Sequence, residues 1–355
     1  MRIINNFTKT LLLLLGFFVL FLTKFAGAQT VVNDQIKPLV IARQGSFAVG
    51  GKVVTNSDGK AFHGDHAYVF YQIPQKSRKY PLIFVHGIGQ FSKTWETTPD
   101  GREGFQNIFL RRGFSTYLAT QPRRGSAGRS TIADTIKLEF TEEYWFNRFR
   151  IGEWPKYFKG VQFDQDPETL NQFFRQMTPN TGPSDFETYT NAYAALVEKV
   201  GPSILITHSM GGPVGWQTLL KTDKIKGIIS YEPGGQFPFA LGERPAQTKN
   251  KQRTAEATEV SLTQFMTYTK IPIIIYYGDN IPRAPTGNSH QNDWLFRLTL
   301  ARQWAEAVNK RGGNVTVVHL PEIGIYGNTH FPFSDLNNLQ IADLLSTFLK
   351  KNKLD

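Results

Sequence analysis

Between residues 80 and 347, short and nearly unbroken apolar runs alternate with longer segments of helical periodicity. Tyr80–Val85, Ser203–Thr207, Gly227–Tyr231, Ile271–Gly278 and Asn314–Leu320 read as strands. Strands with so little polar interruption belong in a sheet covered on both faces. Between them, Arg102–Arg112, Phe186–Lys199, Gly215–Leu220, Trp294–Asn309 and Leu336–Lys350 read as helices. This alternation predicts an α/β fold, a mostly parallel, doubly wound sheet with helices on both faces. Upstream, residues 46–75 carry two strand-like segments. One of them, Ala67–Ile73, nearly alternates apolar and polar residues and suits an antiparallel edge. No repeat, low-complexity tract or long linker divides residues 29–355, which read as one domain.

Residues 126–183 break the alternation, being too long for a simple connection. The segment holds Phe140, Tyr144, Trp145, Phe146, Phe149, Trp154, Tyr157, Phe158 and Phe163, and is interrupted by Gly152, Pro155 and Gly160. It reads as a cap inserted over the site, with Trp145 and Trp154 as candidate pocket residues. The competing reading is a side unit that packs without touching a ligand. Residues 235–262, polar and irregular, form a second candidate wall.

The first residues are lightly basic, Leu11–Thr23 is nearly all apolar, and Ala26-Gly27-Ala28 supplies small residues before Gln29. That is the layout of a secretory signal peptide over residues 1–28, with an apolar core too short for a membrane span. An exported chain, periplasmic or secreted, without stable membrane insertion after cleavage is expected; an uncleaved anchor is the competing reading. Removing 28 of the 355 residues leaves 327, enough to fill one large core. Such a core makes disulfides unnecessary, so the lack of cysteine does not conflict with export. The formal charge of +11 includes Arg2, Lys9 and Lys24, which leaves +8 on the remainder. The cations are dispersed and no nucleic-acid motif occurs, so a solvated basic surface is expected rather than a nucleic-acid partner.

The chemistry concentrates at Ser203-Ile204-Leu205-Ile206-Thr207-His208-Ser209-Met210-Gly211-Gly212-Pro213. A buried strand enters a small-residue turn, the turn presents Ser209, and glycines followed by proline open a helix. This is the pattern of a nucleophile elbow, in which a sharp strand-to-helix turn exposes the serine hydroxyl. Thr207 departs from the glycine usual at the first position. An apolar strand also precedes His86-Gly87-Ile88-Gly89-Gln90, a loop able to aim the N–H near Ile88 at an oxyanion, with Met210 giving the second donor. Three histidines follow the elbow. His290 lies in a polar stretch that reads as loop or cap and His319 inside a strand, whereas His330 follows the last strand in a loop and is the candidate base. Glu232 and Asp279 each end a predicted strand at the sheet's carboxyl edge and satisfy the order serine, acid, histidine; position alone does not separate them.

The His86–Gln90 loop, Thr98–Phe105, Gln121-Pro122-Arg123-Arg124-Gly125, the elbow, Tyr231-Glu232-Pro233 and Gly327-Asn328-Thr329-His330 together resemble bacterial esterases of the esterase 713 type, a branch of the α/β-hydrolase superfamily. The resemblance spans residues 80–340. It implies Ser209 as nucleophile, His330 as base and Glu232 as acid, with Asp279 capping a loop nearby. The family's disulfides cannot be carried over. A carboxylic ester is the implied small-molecule substrate; lactone, thioester or amide cleavage uses the same machinery. A serine at the elbow argues against haloalkane and epoxide hydrolysis, which need a carboxylate there. A non-catalytic binding protein of this fold is the alternative from another class. No cofactor is expected, and no cluster has metal-ligand spacing, so no metal is expected either.

Overall fold

The central sheet sets its loops at one edge because seven of its eight strands run in the same direction, the second alone being reversed. The computed structural model describes residues 37–136, 140–249 and 251–355; the predicted signal peptide lies outside them. The chain begins with β1 (Ile41–Thr55), β2 (Ala61–Pro74), β3 (Leu82–Val85), α1 (Phe105–Arg111) and β4 (Thr116–Thr120). The insertion follows, with α2 (Glu142–Arg148), the short ribbon β5 (Gly152–Glu153) and β6 (Lys156–Tyr157), and α3 (Pro167–Arg175). Then come α4 (Phe186–Val200), β7 (Ser203–His208), α5 (Gly211–Leu219), β8 (Ile225–Tyr231), β9 (Phe237–Ala240) and β10 (Ala257–Val260). Finally, α6 (Leu262–Phe265), β11 (Pro272–Tyr277), α7 (Ser289–Asn309), β12 (Asn314–His319) and α8 (Asn338–Lys351) complete the domain.

The sheet order is β1-β2-β4-β3-β7-β8-β11-β12. Antiparallel pairing is confined to β1 with β2 and β2 with β4; the remaining pairs are parallel. β3 and β7 are buried at every position, as their apolar runs require. The near-alternating Ala67–Ile73 lies in β2, one strand in from the edge, and β1 forms the edge itself. Helix starts follow the cap chemistry: Asp166, Asp185 and Asn288 accept from Glu168, Glu187 and Gln291 N–H groups at the heads of α3, α4 and α7. The Asn288 cap draws His290 into the first turn of α7, in line with the cap reading of its polar stretch rather than the loop reading.

Two further expectations are corrected. Residues 235–262 are not irregular throughout, because β9 and β10 pair in parallel. Phe237 and Phe239 explain this, since both rings are buried in the main apolar cluster. The helix read by periodicity from Gly215 starts four residues earlier, at Gly211, as the glycine–proline opening of the elbow requires. Among the described residues, no helix is long and apolar enough to cross a membrane.

Candidate active site

Ser209 follows β7 at φ 53°, the left-handed turn that a nucleophile elbow demands of its serine. The turn is held from both sides, Ser209 N–H donating to the Tyr231 carbonyl at 3.0 Å and Gly234 N–H to the Ser209 carbonyl at 2.9 Å. A side chain at Gly211 would place its Cβ 2.6 Å from the Val85 carbonyl oxygen, so only glycine lets α5 start beside β3. Thr207 is fully buried and donates to Ser230 Oγ at 2.8 Å. Room for its methyl comes from Gly215, where a Cβ would lie 2.9 Å from Thr207 Cγ2. The elbow accommodates threonine because the helix opposite it lacks a side chain.

A cavity of about 230 Å³ opens over this turn. Ser209, His330, Ile88 and Met210 lie in its wall. Ser209 Oγ makes no hydrogen bond among the described residues and is not sealed from solvent. Arg124 Nη1 donates to the Gly87 carbonyl at 2.9 Å, and His86 Nδ1 bonds the same oxygen at 2.9 Å. A trans peptide points its C=O and N–H in opposite directions, so these two donors fix the direction of the Ile88 N–H. Cationic pull on that carbonyl also polarises the N–H.

His330 Nδ1 faces Glu232 Oε2 at 3.3 Å, with both residues almost fully buried. With Nδ1–H donating its hydrogen bond to the carboxylate, Nε2 keeps its lone pair. The loop is further held by His330 N–H donating to the Phe149 carbonyl at 2.9 Å and by His208 Nε2 donating to the His330 carbonyl at 2.9 Å. Phe149 stacks on the imidazole at a centroid separation of 5.1 Å and an interplanar angle of 10°. Burial first, then the positive charges of Arg150, Arg148 and Arg297, hold the His330 pKa well below the ordinary histidine value. A neutral imidazole at neutral pH is the form a general base needs.

Glu232, at φ 53°, turns its carboxylate back under His330. Arg150 Nη2 donates to Glu232 Oε1 at 2.5 Å, and the Gly278 N–H donates to the same oxygen. Arg150 is fully buried, so the inserted segment sends a cation directly to this acid. Asp279 does something else. Its Oδ2 accepts from Gly327 N–H at 2.7 Å, its Oδ1 from Asn280 N–H at 2.6 Å, and its N–H donates to the Asn328 carbonyl at 2.8 Å. It braces the loop that carries His330 without touching the ring. Asp335 braces the same loop from the other side, accepting from Thr329 N–H and Asn328 Nδ2; burial pushes its carboxyl up to about 7.

The two candidate tryptophans separate. Trp145 is in the cavity wall and stacks on Phe149 at 4.8 Å. Trp154 is not among the wall residues: it is 41% exposed and meets Phe146 edge-on at 5.3 Å. Its place in the β5–β6 turn carries the ring away from the wall. His319 ends β12, half-buried and 3.7 Å from Glu322. The insertion therefore does two jobs: Phe146, Phe149, Ile151 and Phe173 join the core, while Phe140, Tyr144, Trp145 and Arg148 wall the cavity.

A sequence profile of the alpha/beta hydrolase family matches residues 82–322, from β3 to just past β12. The chain belongs to the alpha/beta hydrolase family. Among relatives of this hydrolase, a protein named probable secreted lipase phiG, from Fungal sp. (strain ATCC 74256), is 28% identical over 342 residues, covering 86% of this chain and 89% of the relative. A solved structure described as a novel bacterial esterase is similar with a TM-score of 0.73 and 29% identity, covering 89% of this chain and 98% of that one. Sequence reasoning missed Arg150, Arg148, Arg297 and Trp294 in this hydrolase site. The one signal present was Arg148-Phe149-Arg150, two cations flanking a phenylalanine within the aromatic-rich insertion.

One consequence concerns pH. Arg150→Met removes the strongest-acting of the positive charges named above and leaves Glu232 free to favour imidazolium, so the His330 pKa rises. The acidic limb of kcat/KM should therefore move to higher pH, as a pH–rate profile would record. An unmoved limb would mean that the Arg150 charge does not act on His330.

Proposed function

We propose that the chain is an exported serine esterase, cleaving carboxylic esters through a Ser209–His330–Glu232 triad and an acyl-enzyme intermediate. Ser209 Oγ attacks the ester carbonyl while His330 Nε2 takes its proton, and Glu232 holds the tautomer and stabilises the imidazolium. The N–H groups of Ile88 and Met210 receive the oxyanion, each worth a few kcal/mol in such sites (about 3). His330 then returns the proton to the leaving alcohol, and water repeats the sequence on the acyl-enzyme. No step calls for a metal or cofactor.

The observation that carries this reading is the buried Glu232–His330 contact at the wall of the same cavity as Ser209. The names of the two relatives support ester cleavage, and the fungal protein's name supports export. The test is pre-steady-state hydrolysis of p-nitrophenyl esters of graded chain length. A burst of nitrophenolate matching the enzyme concentration, followed by slower turnover, is expected. Lack of hydrolysis across the series would leave the binding-protein alternative in its place.

The cavity wall predicts which aromatic sets acyl preference. Trp145→Ala should enlarge the pocket and shift the optimum toward longer acyl chains, whereas Trp154→Ala should leave the optimum where it is. The same graded ester series measures both. Uniform loss toward all esters with a lower Tm for Trp145→Ala would assign that ring to packing alone.

A further inference from the structure

We propose that Arg148 and Arg297 form an anion subsite beside the reacting centre, and that the substrate is an ester bearing a free carboxylate. This rests on the serine-esterase reading and names its substrate class. Arg148, the last residue of α2, and Arg297, in the middle of α7, both lie in the cavity wall with Ser209 and His330. Each commits part of its guanidinium to a protein carboxylate. Arg148 Nη1 donates to Asp293 Oδ2 at 2.5 Å; Arg297 Nε and Nη2 donate to Glu256 at 3.0 Å each. The remaining nitrogens, Arg148 Nε and Nη2 and Arg297 Nη1, have no partner among the described residues and are not sealed from solvent. Unpaired guanidinium donors in an aromatic cavity are left for an acceptor that arrives with the ligand.

The charges around the cavity are also unbalanced. Arg253 shares Asp293 with Arg148, at 2.7 Å, and Arg150 is paired with Glu232. Of the four guanidiniums here (Arg148, Arg150, Arg253, Arg297), Arg148 and Arg297 stand in the cavity wall, where no carboxylate stands among the described residues. The excess is felt at the base, where Arg150, Arg148 and Arg297 all oppose protonation of His330. Three of the four guanidiniums are held over one ring, their carbons 4.9–5.3 Å from the Trp294 centroid. A purely structural ion-pair cluster has no need of a surplus cation facing a cavity. A wall with cations and no carboxylate calls for an anionic group on the ligand, and planar, forked guanidinium donors suit a planar carboxylate.

The test uses the full chain and matched substrate pairs. Mono-p-nitrophenyl adipate against p-nitrophenyl hexanoate puts the carboxylate on the acyl side. 4-Butyryloxybenzoate against phenyl butyrate puts it on the alcohol side. In one pair the anionic member should be favoured in kcat/KM by about tenfold or more, the worth of a charge-assisted hydrogen bond, and the preference should shrink with added salt. Arg148→Gln and Arg297→Gln should each cut that preference roughly tenfold, and Arg148→Lys should restore part of it. Asp293 keeps Arg253 when Arg148 is replaced, so this variant retains an ion pair there. Equal or faster cleavage of the neutral member in both pairs would overturn the subsite and leave the esterase reading standing. If neither member of either pair is cleaved, the esterase reading fails. The subsite is then judged on Ser209→Ala protein by calorimetry: tighter binding of monoethyl adipate than of diethyl adipate upholds it, and equal or weaker binding rejects it.

Discussion

Ser209→Ala should lower kcat toward p-nitrophenyl esters by about 10⁴-fold or more with the fold intact. The effect is large because every step passes through a bond to Oγ. It is selective because Oγ holds nothing else together: Ser209 is 7% exposed, and the hydroxyl makes no hydrogen bond among the described residues. The turn is maintained by backbone bonds to Tyr231 and Gly234, which alanine keeps. Purified Ser209→Ala, free of contaminating esterase, should therefore match the parent in Tm and circular dichroism while failing in turnover. Near-parental turnover would remove Ser209 from the mechanism.

Glu232→Gln should cost on the order of 10²–10⁴ in kcat with a much smaller change in KM. Three donors converge on the carboxylate, from His330, Arg150 and Gly278. An amide can accept only through its oxygen, so its NH₂ end would confront one of these donors and His330 would lose its fixed tautomer. Asp279→Asn should cost about tenfold or less, because Asp279 acts on the loop backbone at Gly327 and Asn280. Its loss loosens the position of His330 without touching imidazolium. Steady-state kinetics on both variants, with folding checked by circular dichroism, give the ranking. The reverse order would make Asp279 the acid.

The fold was legible because buried parallel strands have a plain signature: β3, β7, β8 and β11 are apolar runs, and a polar residue at such a position is costly unless it is paired. The elbow was legible for a related reason, since a left-handed serine followed by small residues is a local requirement. The choice of acid was not. Glu232 and Asp279 end neighbouring strands, and Ile273–Tyr276 pairs with Ile228–Tyr231, so both carboxylates reach the same edge. What separates them is the backbone: Glu232 adopts φ 53° and swings toward His330, while Asp279 is drawn to Gly327. Sequence pattern carries no such angle; the family resemblance pointed to Glu232 where position did not. Arg150 was invisible for a different reason, lying 82 positions from its partner in a segment whose aromatics dominate the pattern. The two tryptophans show the same limit. Trp145 sits on a helix face that closes the cavity and Trp154 in a ribbon turn, though both belong to one aromatic-rich stretch.

The most direct test of a Ser209-centred esterase is covalent labelling of the full chain with a fluorophosphonate, followed by intact-mass measurement and peptide mapping. The reagent reacts with a serine only where a base and an oxyanion site activate it. One adduct per chain on Ser209, accumulating in step with loss of ester hydrolysis and absent from Ser209→Ala, is the predicted result. An unlabelled Ser209 in protein that has nonetheless lost, or fully retains, its hydrolysis would contradict the account.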